Sequence, residues 1–116
     1  MTVSDPNCLF CRIGRGEISS EKLFEDDSVV AFHDINPAAP VHFLIIPKSH
    51  VDSLLTSGPE HEATLGKIVA LAPRLAKEQG CDNGFRLVIN NGPDGGQEVN
   101  HLHIHILGGP RPWKRL

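Results

Sequence analysis

Three histidines separated by single aliphatic residues, in His101-Leu102-His103-Ile104-His105-Ile106-Leu107, are the side chains of this chain best suited to chemistry. An extended backbone turns successive side chains to opposite faces. The imidazoles then share one face, and Leu102, Ile104 and Ile106 share the other. The aliphatic face is expected to pack into a core while the histidine face lines a cleft. Imidazole changes charge near neutral pH and serves as nucleophile, acid, base or metal ligand. The segment just before it, residues 90–97, contains Asn90-Asn91-Gly92-Pro93-Asp94-Gly95-Gly96, whose backbone N–H groups suit phosphate oxygens. Together the two segments suggest phosphoryl or nucleotidyl transfer. A metal centre is the competing reading, since His-x-His pairs bind zinc or copper. A polar strand face turned to solvent is the third.

Cys8-Leu9-Phe10-Cys11 is the second constellation. Two thiolates can chelate zinc, with His50 and one of the three alternating histidines as candidates for the remaining ligands. A redox pair would need a thioredoxin-like pattern, which is absent. Plain packing is the other reading of each cysteine. Cys81, just after Gly80, has no partner in sequence and reads as structural.

These groups need elements to position them. Residues 8–15 suit a short helix closed by Gly14 or Gly16. Residues 22–25 and 29–33 read as a hairpin around Asp26-Asp27-Ser28. A loop at 36–40 leads into the apolar run 41–46, which reads as a central strand. Ser57-Gly58-Pro59-Glu60 has the form of a capping box, and Gly80 supplies the stop. Between them Leu65, Ile68, Val69, Ala72, Leu75 and Ala76 follow helical spacing, with Pro73 expected to kink or split the helix. Residues 85–90 and 101–107 complete the strands. The expectation is an α+β fold with a mainly antiparallel sheet, one long helix and a short N-terminal helix.

At 116 residues the chain reads as one domain, with its core at about 8–109 and a C-terminal tail at 110–116. A net charge of −3 without a basic block argues against nucleic-acid wrapping. No apolar run reaches membrane-spanning length, and the first residues are no signal peptide. A cytoplasmic protein is expected, and three cysteines fit a reducing compartment.

The run from Gly96 to Gly109, Gly-Gln-Glu-Val-Asn-His-Leu-His-Ile-His-Ile-Leu-Gly-Gly, resembles the signature of the histidine triad (HIT) superfamily. Phe24-Glu25-Asp26-Asp27, Ala31-Phe32-His33-Asp34-Ile35, Arg86-Leu87-Val88-Ile89-Asn90 and Pro40-Val41-His42-Phe43-Leu44-Ile45-Ile46-Pro47-Lys48-Ser49-His50 extend the likeness to the Hint branch, the histidine triad nucleotide-binding proteins. The resemblance implies a phosphoramidase. It would release an amine and a purine nucleoside monophosphate through a nucleotidyl-histidine intermediate. A dinucleoside polyphosphate hydrolase and a non-catalytic nucleotide- or partner-binding protein are the alternatives.

Carried onto this chain, the resemblance makes His103 the nucleophile, with His105 and His42 contacting the phosphate and supporting it. Asp34 would hold the ribose hydroxyls. Ile35, Phe32, Leu9, Phe10 and Ile13 would form the base pocket, and Asn90, Gly96, Gln97 and Glu98 the phosphate loop. Glu98 departs from the best-known animal members, which carry serine there. Those members also lack Cys8-x-x-Cys11. Its presence resembles a zinc-bearing bacterial-type subgroup in which Cys8, Cys11, His50 and His101 bind a structural zinc. Such a metal would fix the strand and not activate water. The family further implies a homodimer with the sheet continued across the two-fold axis and the tail near the partner's active site. Left alone, a chain end frays by default.

Overall fold

The apolar run 41–46 becomes the central strand that its two-sided hydrophobicity requires. The computed structural model describes residues 7–114. In chain order it contains helix α1 (Leu9–Gly14), strands β1 (Lys22–Glu25), β2 (Val29–His33) and β3 (Val41–Pro47), helix α2 (Glu62–Glu78), and strands β4 (Phe85–Val88) and β5 (Ile104–Gly108). The strands form one sheet in the order β1-β2-β3-β5-β4, every neighbouring pair antiparallel. This is the α+β architecture expected. No helix of the described residues is long and apolar enough to cross a membrane.

Alternation sorts the core into two layers. Val29, Ala31, Phe43, Ile45, Leu102, Ile104 and Ile106 face α2, meeting Ile68, Ala72 and Leu75. On the reverse face Val30, Phe32, Leu44 and Ile46 pack against Phe10 and Ile13 of α1. A fully buried side chain of this size contributes about 1.5–3 kcal/mol. α1 has only two such anchors, so its hold on the sheet depends on Cys8 and Cys11 as well.

Several local expectations are corrected. The histidine strand is shorter than residues 101–107, because β5 begins at Ile104. Upstream, the Leu102 N–H bonds to Val51 O and the His101 N–H to Val99 O, so this stretch leaves the β3 ladder while its faces still alternate. Strand β4 stops at Val88, not at Asn90. Ser57 does not cap α2, since its hydroxyl donates back to Leu54 O at 3.0 Å. The capping box belongs to Ser53 and Thr56, around the 3-10 turn Leu54–Thr56. Pro73 does not split α2, which runs unbroken through it. Pro73 is exposed, as is Val69 one turn earlier, so the missing N–H falls on the exposed side of the helix and not against the core. Val69 was expected on the buried face, where Leu71 stands instead. The tail is docked through residue 114: the Lys114 N–H bonds to Ala38 O and the Trp113 indole to Gly109 O.

Candidate active site and metal centre

The β3–β5 register brings His42 to His105. Leu44 lies opposite His105, so His42, two residues back on the same face, is the diagonal neighbour. The Ala38 N–H donates to His42 Nδ1 at 3.0 Å. In the neutral ring the proton must then sit on Nε2, which faces His105 Nδ1 at 3.0 Å. His105 accepts there and keeps its own proton on Nε2, free to donate outward. His103 is oriented the opposite way. Its Nδ1–H donates to the His101 carbonyl at 2.7 Å, leaving the Nε2 lone pair available to attack. The rings of His103 and His105 lie 4.9 Å apart. One imidazole thus presents a lone pair and its neighbour an N–H, the pair needed to attack phosphorus and steady its oxygens.

The histidine face is not an open cleft along its whole length, which corrects the expectation above. His42, His101 and His103 are buried, and α1 lies over the last two, with the Phe10 ring 5.2 Å from His103 and 5.9 Å from His101. Only His105 is partly open. Burial, with smaller contributions from His103 and His42, lowers His105 to about 4. Burial also lowers His42, against the opposing Asp34 carboxylate. Both rings are therefore neutral at pH 7. Unfolded, they bind protons near the ordinary 6.5. Between 6.5 and about 4 the unfolded chain holds more protons, so stability falls as pH falls through that window. Asp26, lowered to about 2 from 3.8, acts only below it. The urea midpoint is expected to be lower at pH 5 than at pH 7. An unchanged midpoint would mean the rings protonate as readily folded as unfolded.

Cys8, Cys11, His50 and His101 converge behind this site, their ligand atoms all within 4.8 Å of one another. Cys8 Sγ lies 3.3 Å from His101 Nδ1, and Cys11 Sγ lies 3.3 Å from His50 Nδ1 and 3.4 Å from His101 Nδ1. Tetrahedral zinc with thiolate and imidazole ligands needs sulfur–nitrogen separations of about 3.5 Å. The outer nitrogens agree. His101 Nε2 donates to Pro47 O at 2.8 Å and His50 Nε2 to Asp52 Oδ1 at 2.7 Å, so both lone pairs point inward. Burial holds His101 at about 4, in its ligating form. The donor set fits a metal ion.

Asp34, His42 and His105 form a second cluster of possible ligands, and their chemistry does not fit a metal. An ion at His42 Nε2 would require the proton on Nδ1, facing the Ala38 N–H donor. This cluster holds protons instead.

The other expected site residues fall into three groups. Phe10, Ile13 and Phe32 are buried together beside His103. Leu9 is half exposed and Ile35 wholly exposed, and neither joins that cluster. Asp34 Oδ1 accepts the Asn36 N–H at 2.8 Å, and Oδ2 lies 3.5 Å from His42 Nε2. In the loop, Gly96 takes a left-handed conformation with φ +77, and it and Glu98 are exposed, with Asn90 half-buried. Gln97 points inward: its carboxamide donates to Asp52 O and Val99 O and accepts from the Gly92 N–H, bracing the loop. Asp52 and the Ala38 N–H escaped the sequence reading. His50-Val51-Asp52 could have signalled the first; a backbone N–H leaves no signal.

Comparison with known proteins gives the chain a family. A family model described as the HIT domain matches residues 15–111, which leaves α1 and both cysteines of the cluster outside the match. Protein HitA of Neisseria gonorrhoeae is 53% identical over 104 residues, covering 90% of this chain and 97% of the relative. The purine nucleoside phosphoramidase of Escherichia coli is 43% identical over 102 residues, covering 87% of this chain and 86% of that protein. A histidine triad protein from Clostridium difficile superposes with a TM-score of 0.90 at 47% identity, covering 95% of this chain and 96% of that one. A HIT family hydrolase from Legionella pneumophila gives 0.87 at 45% identity, covering 90% and 95%.

Proposed function

This chain belongs to the HIT domain family, and from that premise we propose that it is a purine nucleoside phosphoramidase of the bacterial Hint type. The observation that carries the reading is the orientation of His103, whose Nδ1–H is committed to the His101 carbonyl. Its Nε2 attacks the α-phosphorus, and the P–N bond breaks with its electron pair going to nitrogen, which takes a proton from water and leaves as the amine. A second water then hydrolyses the nucleotidyl-histidine to the monophosphate and free His103. His105, proton on Nε2, steadies a phosphoryl oxygen, and His42 holds His105 in that tautomer. Pure binding would not need a nucleophile held this way. The phosphoramidase name of the E. coli relative supports the choice of substrate class.

Asp34 reads the ribose, and the purine covers Ile35 and Leu9 against Phe10, Ile13 and Phe32. The loop of Asn90, Gly96, Gln97 and Glu98 receives the phosphate, with Gln97 acting as its brace. Cys8, Cys11, His50 and His101 hold a structural zinc. A single HIT domain working in the cytoplasm completes the reading. Strand β4 lies at the sheet edge, a place where a two-fold partner strand can add, which supports a homodimer.

Turnover of adenosine phosphoramidate compared with diadenosine tetraphosphate tests the reading. Preference for the phosphoramidate is expected. Preference for the tetraphosphate identifies a polyphosphate hydrolase, and turnover of neither a binding protein. The Asp34 assignment has its own check. Asp34→Ala should weaken adenosine monophosphate binding and erase discrimination against the 2′-deoxy form, because the wild-type carboxylate is left unpaired when one hydroxyl is missing. Calorimetry finding the same affinity and the same discrimination would place the ribose elsewhere.

A further inference from the structure

His101 belongs to two sites at once. Its ring nitrogen Nδ1 faces both cysteine sulfurs of the metal cluster, and its carbonyl accepts the proton that orients His103. We infer that His101 is a positioning residue that couples metal occupancy at Cys8, Cys11 and His50 to the tautomer and orientation of His103. The inference rests on the reading of His103 as nucleophile and adds what holds it ready.

The argument follows from how each polar atom of His101 is anchored. Its N–H bonds to Val99 O at 2.8 Å, and Nε2–H to Pro47 O at 2.8 Å, both independent of any metal. Nδ1 is the ring's polar link to α1. Without an ion that link is a thiol at 3.3–3.4 Å, and S–H is a weak donor. With an ion it is a coordinate bond of fixed length and direction. The ring, and with it the peptide that carries the carbonyl, is then held at a point a weak thiol contact leaves loose.

The second lever is α1 itself. Cys8 and Cys11 flank Phe10 in sequence, and Phe10 stands edge-on to His103 at 5.2 Å, while the His105 ring lies 4.9 Å from the same imidazole. Anchoring both cysteines presses Phe10 against the imidazole and restricts its rotation. A His103 ring that turns over, or moves its proton to Nε2, presents an N–H where the lone pair is needed. Loss of the ion therefore lowers kcat through misorientation and not through any lost bond to substrate. Perturbing the surroundings that orient such a ligand set typically costs 10–100-fold in affinity or activity.

The full-length protein labelled with ¹⁵N-histidine tests this, with zinc as the probe. With zinc bound, His103 should show one tautomer, Nδ1–H; stripped of zinc at low temperature, a mixture, with kcat down about 10–100-fold. Cys8→Ser suits the test because serine is a good helix N-cap, the place Cys8 holds before α1, so the fold survives while the metal site weakens. Asp52→Asn is the second variant. Its exposed carboxylate accepts from His50 Nε2, so zinc affinity should fall while the His103 tautomer fraction follows zinc occupancy. A folded, zinc-free protein, checked by circular dichroism, that keeps a single Nδ1–H tautomer would overturn the inference. If the zinc-loaded protein cleaves no phosphoramidate, the proposed function fails, and the tautomer titration still decides the coupling.

Discussion

Replacing His103 by alanine is expected to lower phosphoramidate hydrolysis by on the order of 10⁴-fold or more, since in the proposed mechanism it removes the nucleophile and with it the covalent route. Its ring is buried and in contact with Phe10 and His105, and its Nδ1–H satisfies the His101 carbonyl, so alanine also leaves a small void and an acceptor without its donor. His103→Asn separates the effects. The asparagine amide can donate to that carbonyl and fill part of the space, yet it is no nucleophile. Both variants should therefore be comparably inactive, with asparagine the more stable. Adenosine monophosphate should still bind, because the ribose, base and phosphate contacts proposed for it do not include His103. Activity of either variant within about tenfold of the parent would remove His103 from the chemistry.

Removing metal is expected to have the largest effect on stability. The cluster joins α1 to His50, just after β3, and to His101, just before β5. An unfolded chain has no such site preformed, so the free energy of binding is largely free energy of folding. α1 is a helix of 6 residues, too short to persist by itself, and Phe10 and Ile13 are its chief apolar anchors. Cys8 is raised above an ordinary thiol, chiefly by burial, and a cation is what makes such a thiol a thiolate. A chelator should lower the melting temperature by more than about 10 °C, and added zinc should restore it. Elemental analysis should find about one zinc per chain. Protein isolated without chelators that contains no metal and gains no stability from zinc would leave Cys8 and Cys11 as packing residues.

Much of this architecture is legible in the chain because it is periodic. The alternation at 101–107 assigns Leu102, Ile104 and Ile106 to one core, and β5 keeps that assignment even though its ladder starts at Ile104. The run 41–46, apolar on both faces, had to lie mid-sheet. Cys8-x-x-Cys11 announced a possible ligand pair by chemistry alone. Where the sequence misled, a local rule met a competing contact. Ser57 found Leu54 O before it could cap a helix, and Pro73 stands on the exposed side of α2, where the helix runs through it unbroken.

The division of labour among the three alternating histidines is different. By spacing alone they are equivalent, and only likeness to a family separates them. In the folded chain the separation comes from groups that every residue carries. A carbonyl at Pro47 turns the His101 lone pair toward the cysteines, and the carbonyl of His101 takes the His103 proton on Nδ1 and leaves the lone pair on Nε2. An N–H at Ala38 turns the His42 proton toward His105. Backbone donors and acceptors are the same at nearly every position, so no residue type records where they will point. Residue chemistry and periodicity determined which side chains could act. Tertiary structure decided which of their nitrogens carries the proton, because that depends on which peptide group folding brings within 3 Å.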